Sequence, residues 1–167
     1  IRSGGAAGGI EILDWDGSVL WRYSYNTDDY RSHHDIEYLP NGNILMLAWE
    51  KKTAEEVLAR GRDTLLLPDG ELWVDHILEL EPTGFDQATV VWEWHLWDHL
   101  VQEWDASLEG FGRIADHPER LDINFVRADG GADWNHINSI DYNPDLDQIV
   151  MSSHHMSEIY IIDHSTT

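Results

Sequence analysis

The stretch "ADWNHINSIDYNPDLDQIVMSSHH" (residues 132–155) decides the fold: it reads as a strand, a turn and a returning strand, with histidine at both open ends. Apolar and polar residues alternate on either side of "NPDLD", the pattern of a half-buried strand rather than of a helix. With Asn143 to Asp147 as the loop, Tyr142 pairs with Gln148 and paired positions sum to 290. His136 then stands opposite His154 on one side of the pleat, within side-chain contact range. Two imidazoles facing each other at the end of a hairpin can bind an oxyanion or a metal, or pass protons.

The same grammar runs through the chain. "GIEILDWDGSVLWRY" (9–23) is strand, turn, strand, with Asp16-Gly17 as the turn signal. "HDIEYLPNGNILMLAW" (34–49) is a second hairpin, with Pro40 at the first central position of a type I turn and Gly42 at the left-handed position closing it. Pairing Leu39 with Asn43 makes positions sum to 82 and places His34 opposite Ala48, a small residue that leaves room above the imidazole. "TAEEVLARG" (53–61) reads as a short helix with Thr53 as N-cap, Glu56 completing a capping box and Gly61 as the stop. A third hairpin spans 76–96, one helical extension is expected over 97–104, and 105–133 should be irregular. A last strand covers 158–163.

A weak repeat links "IEILDWDGSVLWRY" with "ILELEPTGFDQATVVWEW", and "EIYIID" resembles the start of a third copy. About ten strands in antiparallel pairs, without the spacing of parallel crossovers, make the chain all-β and suggest β-propeller blades; a sandwich is the competing architecture. At four strands per blade the chain holds about two to three blades with short helical insertions. Such a unit cannot close a ring alone. Residues 1–167, which begin at Ile1 without a methionine, are therefore expected to be an incomplete propeller domain from a longer chain.

Thirty-two acidic against ten basic residues give a net charge of −22, which disfavours nucleic acid and anionic membrane as partners. No apolar run reaches the roughly 18–20 residues of a membrane span, and no signal peptide is visible. With no cysteine, disulfides and thiolate metal sites are excluded. An anionic substrate needs local positive charge against this background, and the ten histidines are the obvious source. No Gly-x-Ser-x-Gly elbow, His-Glu-x-x-His motif or phosphate loop is present. The aspartates of the turns do not match calcium-loop spacing and are expected to be solvated. Histidines with carboxylates can bind a transition metal, but no spacing fixes a ligand set, so none is assigned.

Bland readings compete for several histidines. His117 and His164 are expected to be structural or exposed, His33 simply to flank its strand, and His95 and His99 to pack among Trp92, Trp94 and Trp97. His34 and His136 stand apart because each heads a hairpin. In a propeller the inner strands converge on a central channel, where His34, His136 and His154 can meet.

"HHDIEYLPNGNILML", "WEWHLWDHLVQ" and "DWNHINSIDYNPDLDQIVMSS…SEIYIIDHSTT" resemble the bacterial arylsulfate sulfotransferase family over most of the chain. The resemblance implies a six-bladed propeller with its active site at the channel. It implies transfer of a sulfuryl group from a phenolic sulfate ester to a phenol acceptor through a transiently sulfated histidine, with no nucleotide donor and no cofactor. His34 matches the histidine heading H-D-x-x-x-L-P-N-G, and His136 that of D-W-x-H-x-N-S-I-D-Y. His154 stands where characterised members carry arginine, and His155 matches the histidine beside it. The expected catalytic residues are His34, His136 and His154, with His155 and Asn138 binding substrate. The covalent histidine is expected beyond Thr167. Periplasmic or secreted localisation and a possible homo-oligomer are further expectations. A non-catalytic binding propeller and a metal-dependent enzyme using the same histidines are the alternatives.

Overall fold

The computed structural model describes residues 5–125 and 131–166. Its strands, in chain order, are β1 (Gly9–Leu13), β2 (Val19–Ser24), β3 (Tyr30–Tyr38), β4 (Ile44–Thr53), β5 (Glu71–Gly84) and β6 (Gln87–His95). The two-residue strands β7 (Leu100–Val101) and β8 (Leu121–Asp122) follow, then β9 (Ile137–Asn143), β10 (Gln148–Ser153) and β11 (Glu158–Asp163). β3 to β6 form one four-stranded antiparallel meander in sequence order. β9, β10 and β11 form a three-stranded antiparallel sheet, β1 and β2 a hairpin, and β7 and β8 a short parallel pair.

β4 shows why the layers stack. Its first seven residues, "ILMLAWE", are all buried, the continuous pattern of a strand covered on both faces. Alternate residues feed opposite cores. Ile44 and Met46 join Leu78 and Leu80 of β5 under Ile10 and Trp21 of the β1–β2 hairpin. Leu45 and Leu47 join Ile77 under Ile137 and Ile140 of β9, Ile149 and Met151 of β10, and Ile162 of β11. The meander is thus the middle of three face-packed layers, and burial of these side chains is the main stabilising term. Among the described residues the sheets do not close into a ring.

Local signals behave as the sequence predicts. Thr53 caps the helix α1 (Ala54–Ala59), and both halves of its capping box with Glu56 form. Gly42 and Gly61 take positive φ at the turn and the helix stop. The helix expected over 97–104 does not form. Leu96–Asp98 make a single 3-10 turn, after which Leu100 and Val101 pair with β8, because Leu96, Trp97, Leu100 and Val101 must all be buried. Part of the irregular stretch expected over 105–133, residues 126–130, lies outside the described residues. Among the described residues no helix is long and apolar enough to cross a membrane.

Candidate active site

Two hairpin heads build the site, and both depart from regular pairing. In β3–β4, Tyr38 faces Ile44 and Ile36 faces Met46, the predicted register of 82. The register then slips, so that Ser32 and not His34 faces Ala48. The expected space above His34 is therefore not made by Ala48. A bulge containing His33, His34 and Asp35 lifts the histidine out of the ladder, and His34 has a left-handed φ of 49°.

The β9–β10 hairpin repeats the device. Tyr142 faces Ile149 rather than Gln148, so the register is 291 through Ser139 and Ser152. Asn138 is then the extra residue of a bulge, and Ile137 faces Ser153. The slip restores the sum of 290 at the head. His154 N–H donates to the His136 carbonyl at 3.0 Å, and their rings lie 5.6 Å apart, the facing pair expected from the sequence. His136 takes φ 48°, matching His34. A left-handed non-glycine residue costs about 1–3 kcal/mol and persists only where its surroundings over-determine it.

Packing of the middle sheet on the β9–β11 sheet brings the heads together. Asp35 Oδ2 accepts the Ile140 N–H at 3.0 Å, tying β3 to β9. The His34 and His136 rings are 4.7 Å apart, and His136 stacks on His155 at 4.7 Å. His34 and His154 are exposed, whereas His136 and His155 are half-buried. The four imidazoles form one surface cluster. Asn138 is exposed on β9, two residues from His136.

Three of the rings are held from behind. Asp133 Oδ2 lies 2.6 Å from His136 Nδ1, and the backbone carbonyl of Asp133 lies 2.9 Å from His155 Nδ1. These bonds put protons on both Nδ1 atoms of the neutral rings, and in His136 the lone pair then sits on Nε2. His34 Nδ1 is 3.1 Å from His33 Nδ1, and His33 Nε2 is 2.6 Å from Asp75 Oδ1. Burial, with His33 and His136 beside it, holds His34 below the ordinary histidine value, so at neutral pH it is a base or nucleophile rather than a cation.

Sequence reasoning missed His33, Asp75 and Asp133. His33 does not merely flank a strand: it is buried, stacks on Trp49 at 3.8 Å and pairs with Asp75, a fully buried carboxylate on β5. The available signal was an aspartate, beside His76, inside the mainly apolar run "LWVDHIL" (72–78). His164 is structural, set between Glu79 at 2.9 Å and Asp147 at 2.8 Å. Trp92 and Trp94 pack on the core shared with β9–β11, and His99 stacks on Trp94 at 4.7 Å. A groove of about 760 Å³ between the 114–125 segment and β11, which His117 helps to line, contains none of the four clustered histidines.

With this arrangement in view, the comparisons give a family. The family model described as Arylsulfotransferase (ASST) matches residues 5–167. The chain belongs to the arylsulfotransferase family. A search of curated proteins finds no match. Arylsulfotransferase membership supports a sulfotransferase-like function in general terms and phenolic substrates as a class.

Proposed function

We propose that this arylsulfotransferase-family chain transfers a sulfuryl group from a phenolic sulfate ester to a phenol at the cluster of His34, His136, His154 and His155. The observation that carries the reading is the duplicated hairpin head. Two histidines from distant parts of the chain share the same strained backbone conformation and meet at 4.7 Å. The architecture supports it too. A four-stranded meander packed face to face between two other sheets is how successive propeller blades are built, and β3 and β9 then take the place of inner strands at a channel.

In the first half-reaction the S–O bond to the aryl oxygen breaks. The sulfuryl group passes to an imidazole nitrogen, assigned in this reading to a histidine beyond residue 167, and the phenolate leaves with a proton taken from a protonated histidine of the cluster. In the second, the acceptor phenol oxygen attacks sulfur, the N–S bond breaks, and a base takes the phenol proton. Sulfuryl transfer, like phosphoryl transfer, depends mainly on positioning and charge stabilisation. His136, His154 and His155 supply donors to the sulfuryl oxygens when protonated, and His34 supplies the base.

The test is an assay of the full-length protein with p-nitrophenyl sulfate as donor and phenol as acceptor. Phenyl sulfate should form, and His136→Ala should lower turnover by roughly 10²–10³-fold. Absence of a sulfated product, or undiminished turnover in His136→Ala, overturns the reading. A second reading has its own observation: Asp133, His136 and His155 offer ligand atoms that all lie within 4.8 Å of one another, a set suited to zinc-like divalent ions. Such an ion must replace the proton shared by Asp133 and His136. Stoichiometric metal that survives purification and is lost in His155→Ala favours this alternative.

A further inference from the structure

Behind His34 lie two groups that the reaction above does not use. His33 and Asp75 have side chains fully removed from solvent, and they touch at 2.6 Å. We propose that Asp75 and His33 form a proton-holding pair that leaves His34 with a bare Nε2 and draws inward the positive charge His34 gains when it takes a proton. The substrate in this proposal, the acceptor phenol, rests on the sulfuryl-transfer reading; the arrangement of protons does not.

The tautomers follow from the distances. The 2.6 Å contact lies off regular hydrogen-bond alignment, yet a nitrogen lone pair cannot be set against a carboxylate oxygen at that distance, so His33 carries its proton on Nε2, beside Asp75. Neutral His33 then presents a lone pair at Nδ1. The facing Nδ1 of His34, 3.1 Å away, must be the donor, which leaves the His34 Nε2 unprotonated. Gly5 packs against the same imidazole: it has φ 79°, its carbonyl accepts the His34 N–H at 2.8 Å, and a Cβ there would fall 2.1–2.4 Å from Cε1, Nε2 and Nδ1.

The step balances. As the acceptor phenol attacks sulfur its O–H bond breaks and the proton joins His34 Nε2. The proton on His34 Nδ1 crosses to His33 Nδ1. His34 is neutral again, and His33 is an imidazolium against Asp75.

The direct partners of the two rings favour that direction. Asp75, from β5, faces His33 alone among the two histidines' direct partners, and Trp49, from β4, stacks on His33 at 3.8 Å. His34 instead faces His136 at 4.7 Å, a neighbour that penalises a cation, while Asp133 acts on it only through its charge. Asp75 also accepts the Ile137 N–H at 3.1 Å, so one carboxylate positions His34 through His33 and the strand head beside His136. These two are positioning residues, since neither reaches the substrate.

Histidine-selective ¹⁵N NMR of the wild-type protein is the test. His34 should appear as the Nδ1–H tautomer and His33 as the Nε2–H tautomer. An Nε2–H tautomer at His34 overturns the proposal. In the transfer assay His33→Gln, which can still donate to Asp75 but cannot accept a relayed proton, should lower kcat by about 10²-fold with the donor KM unchanged. An unchanged kcat also overturns it. The expected tautomer pattern in a protein that transfers no sulfuryl group leaves the proton pair standing and removes the transfer reading instead.

Discussion

Asp75 and His76 are neighbours on β5 that point to opposite faces of the middle sheet, as do Trp49 and Glu50 on β4. Toward β9–β11, Asp75 pairs with His33, and the chain of contacts runs on to His34 at the surface. Toward β1–β2, His76 is fully buried, lies 3.2 Å from the Tyr25 hydroxyl and stacks on His95 at 5.0 Å. His95 meets Glu50 at 3.2 Å, and Glu50 meets Lys52 at 2.8 Å. Tyr30 closes over His76 at 5.9 Å. Both faces bury a histidine and a carboxylate. Only one gives them a strained, exposed imidazole as an outlet. Burial of a titratable group is therefore a weak sign of function here, and a route from it to the surface is the stronger one.

The largest effect should come from breaking the buried pair. Asp75→Ala leaves the His33 Nε2–H and the Ile137 N–H without their acceptor. Each buried donor left unsatisfied typically costs about 1–3 kcal/mol, the sum to be read from urea midpoints. A loss under about 1 kcal/mol would show that Asp75 does not hold the two hairpin heads and would erase the difference between the faces.

The sealed face should reveal itself through pH. Burial lowers His76 from 6.5 to about 3, and its Nδ1 has no hydrogen-bond partner among the described residues. Between those values the unfolded chain binds the proton and the folded one does not, so stability falls on acidification by about 1.4 kcal/mol per pH unit. His34 and His99, also lowered by burial, act in the same sense. His95 acts oppositely, because its hydrogen bond to Glu50 raises its value; its contribution is complete below 6.5 and is lost as pH rises through the folded value. The stacked pair thus stabilises most near pH 6.5. From pH 6.5 to 5 the wild type should lose about 2 kcal/mol through His76, and His76→Phe should remove that part of the slope. An unaltered slope in His76→Phe would mean that the acid sensitivity belongs to the site face.

These faces differ in how far the sequence exposed them. Hairpins, turns and the Thr53 cap are local, so alternation and turn chemistry found them. His136 was matched to His154 although the register was one residue off, because the bulge at Asn138 cancels the error at the strand head. The equivalent slip in β3 cancelled nothing, and His34 lost its expected partner Ala48. A bulge at a non-glycine residue with positive φ leaves no compositional mark. His33 and Asp75 were missed for a different reason: they lie 42 residues apart in sequence and meet only because β3 and β5 flank β4. Which sheet covers which face is a tertiary fact that no strand pattern encodes.

The smallest expected effect concerns the outermost histidine. His154 is exposed, its backbone N–H is already used by His136, and its ring stands where the family resemblance expects arginine. A guanidinium grips two oxyanion oxygens at once through its planar fork, whereas an imidazole offers an oxygen a single N–H. His154→Arg should therefore lower the donor KM several-fold, on the order of 1 kcal/mol. Its position at the surface predicts little change in thermal stability. An unchanged KM would mean that this position does not grip the sulfate oxygens. A loss of activity would mean that His154 moves protons, and the open face would then have a second proton-handling histidine beside His34.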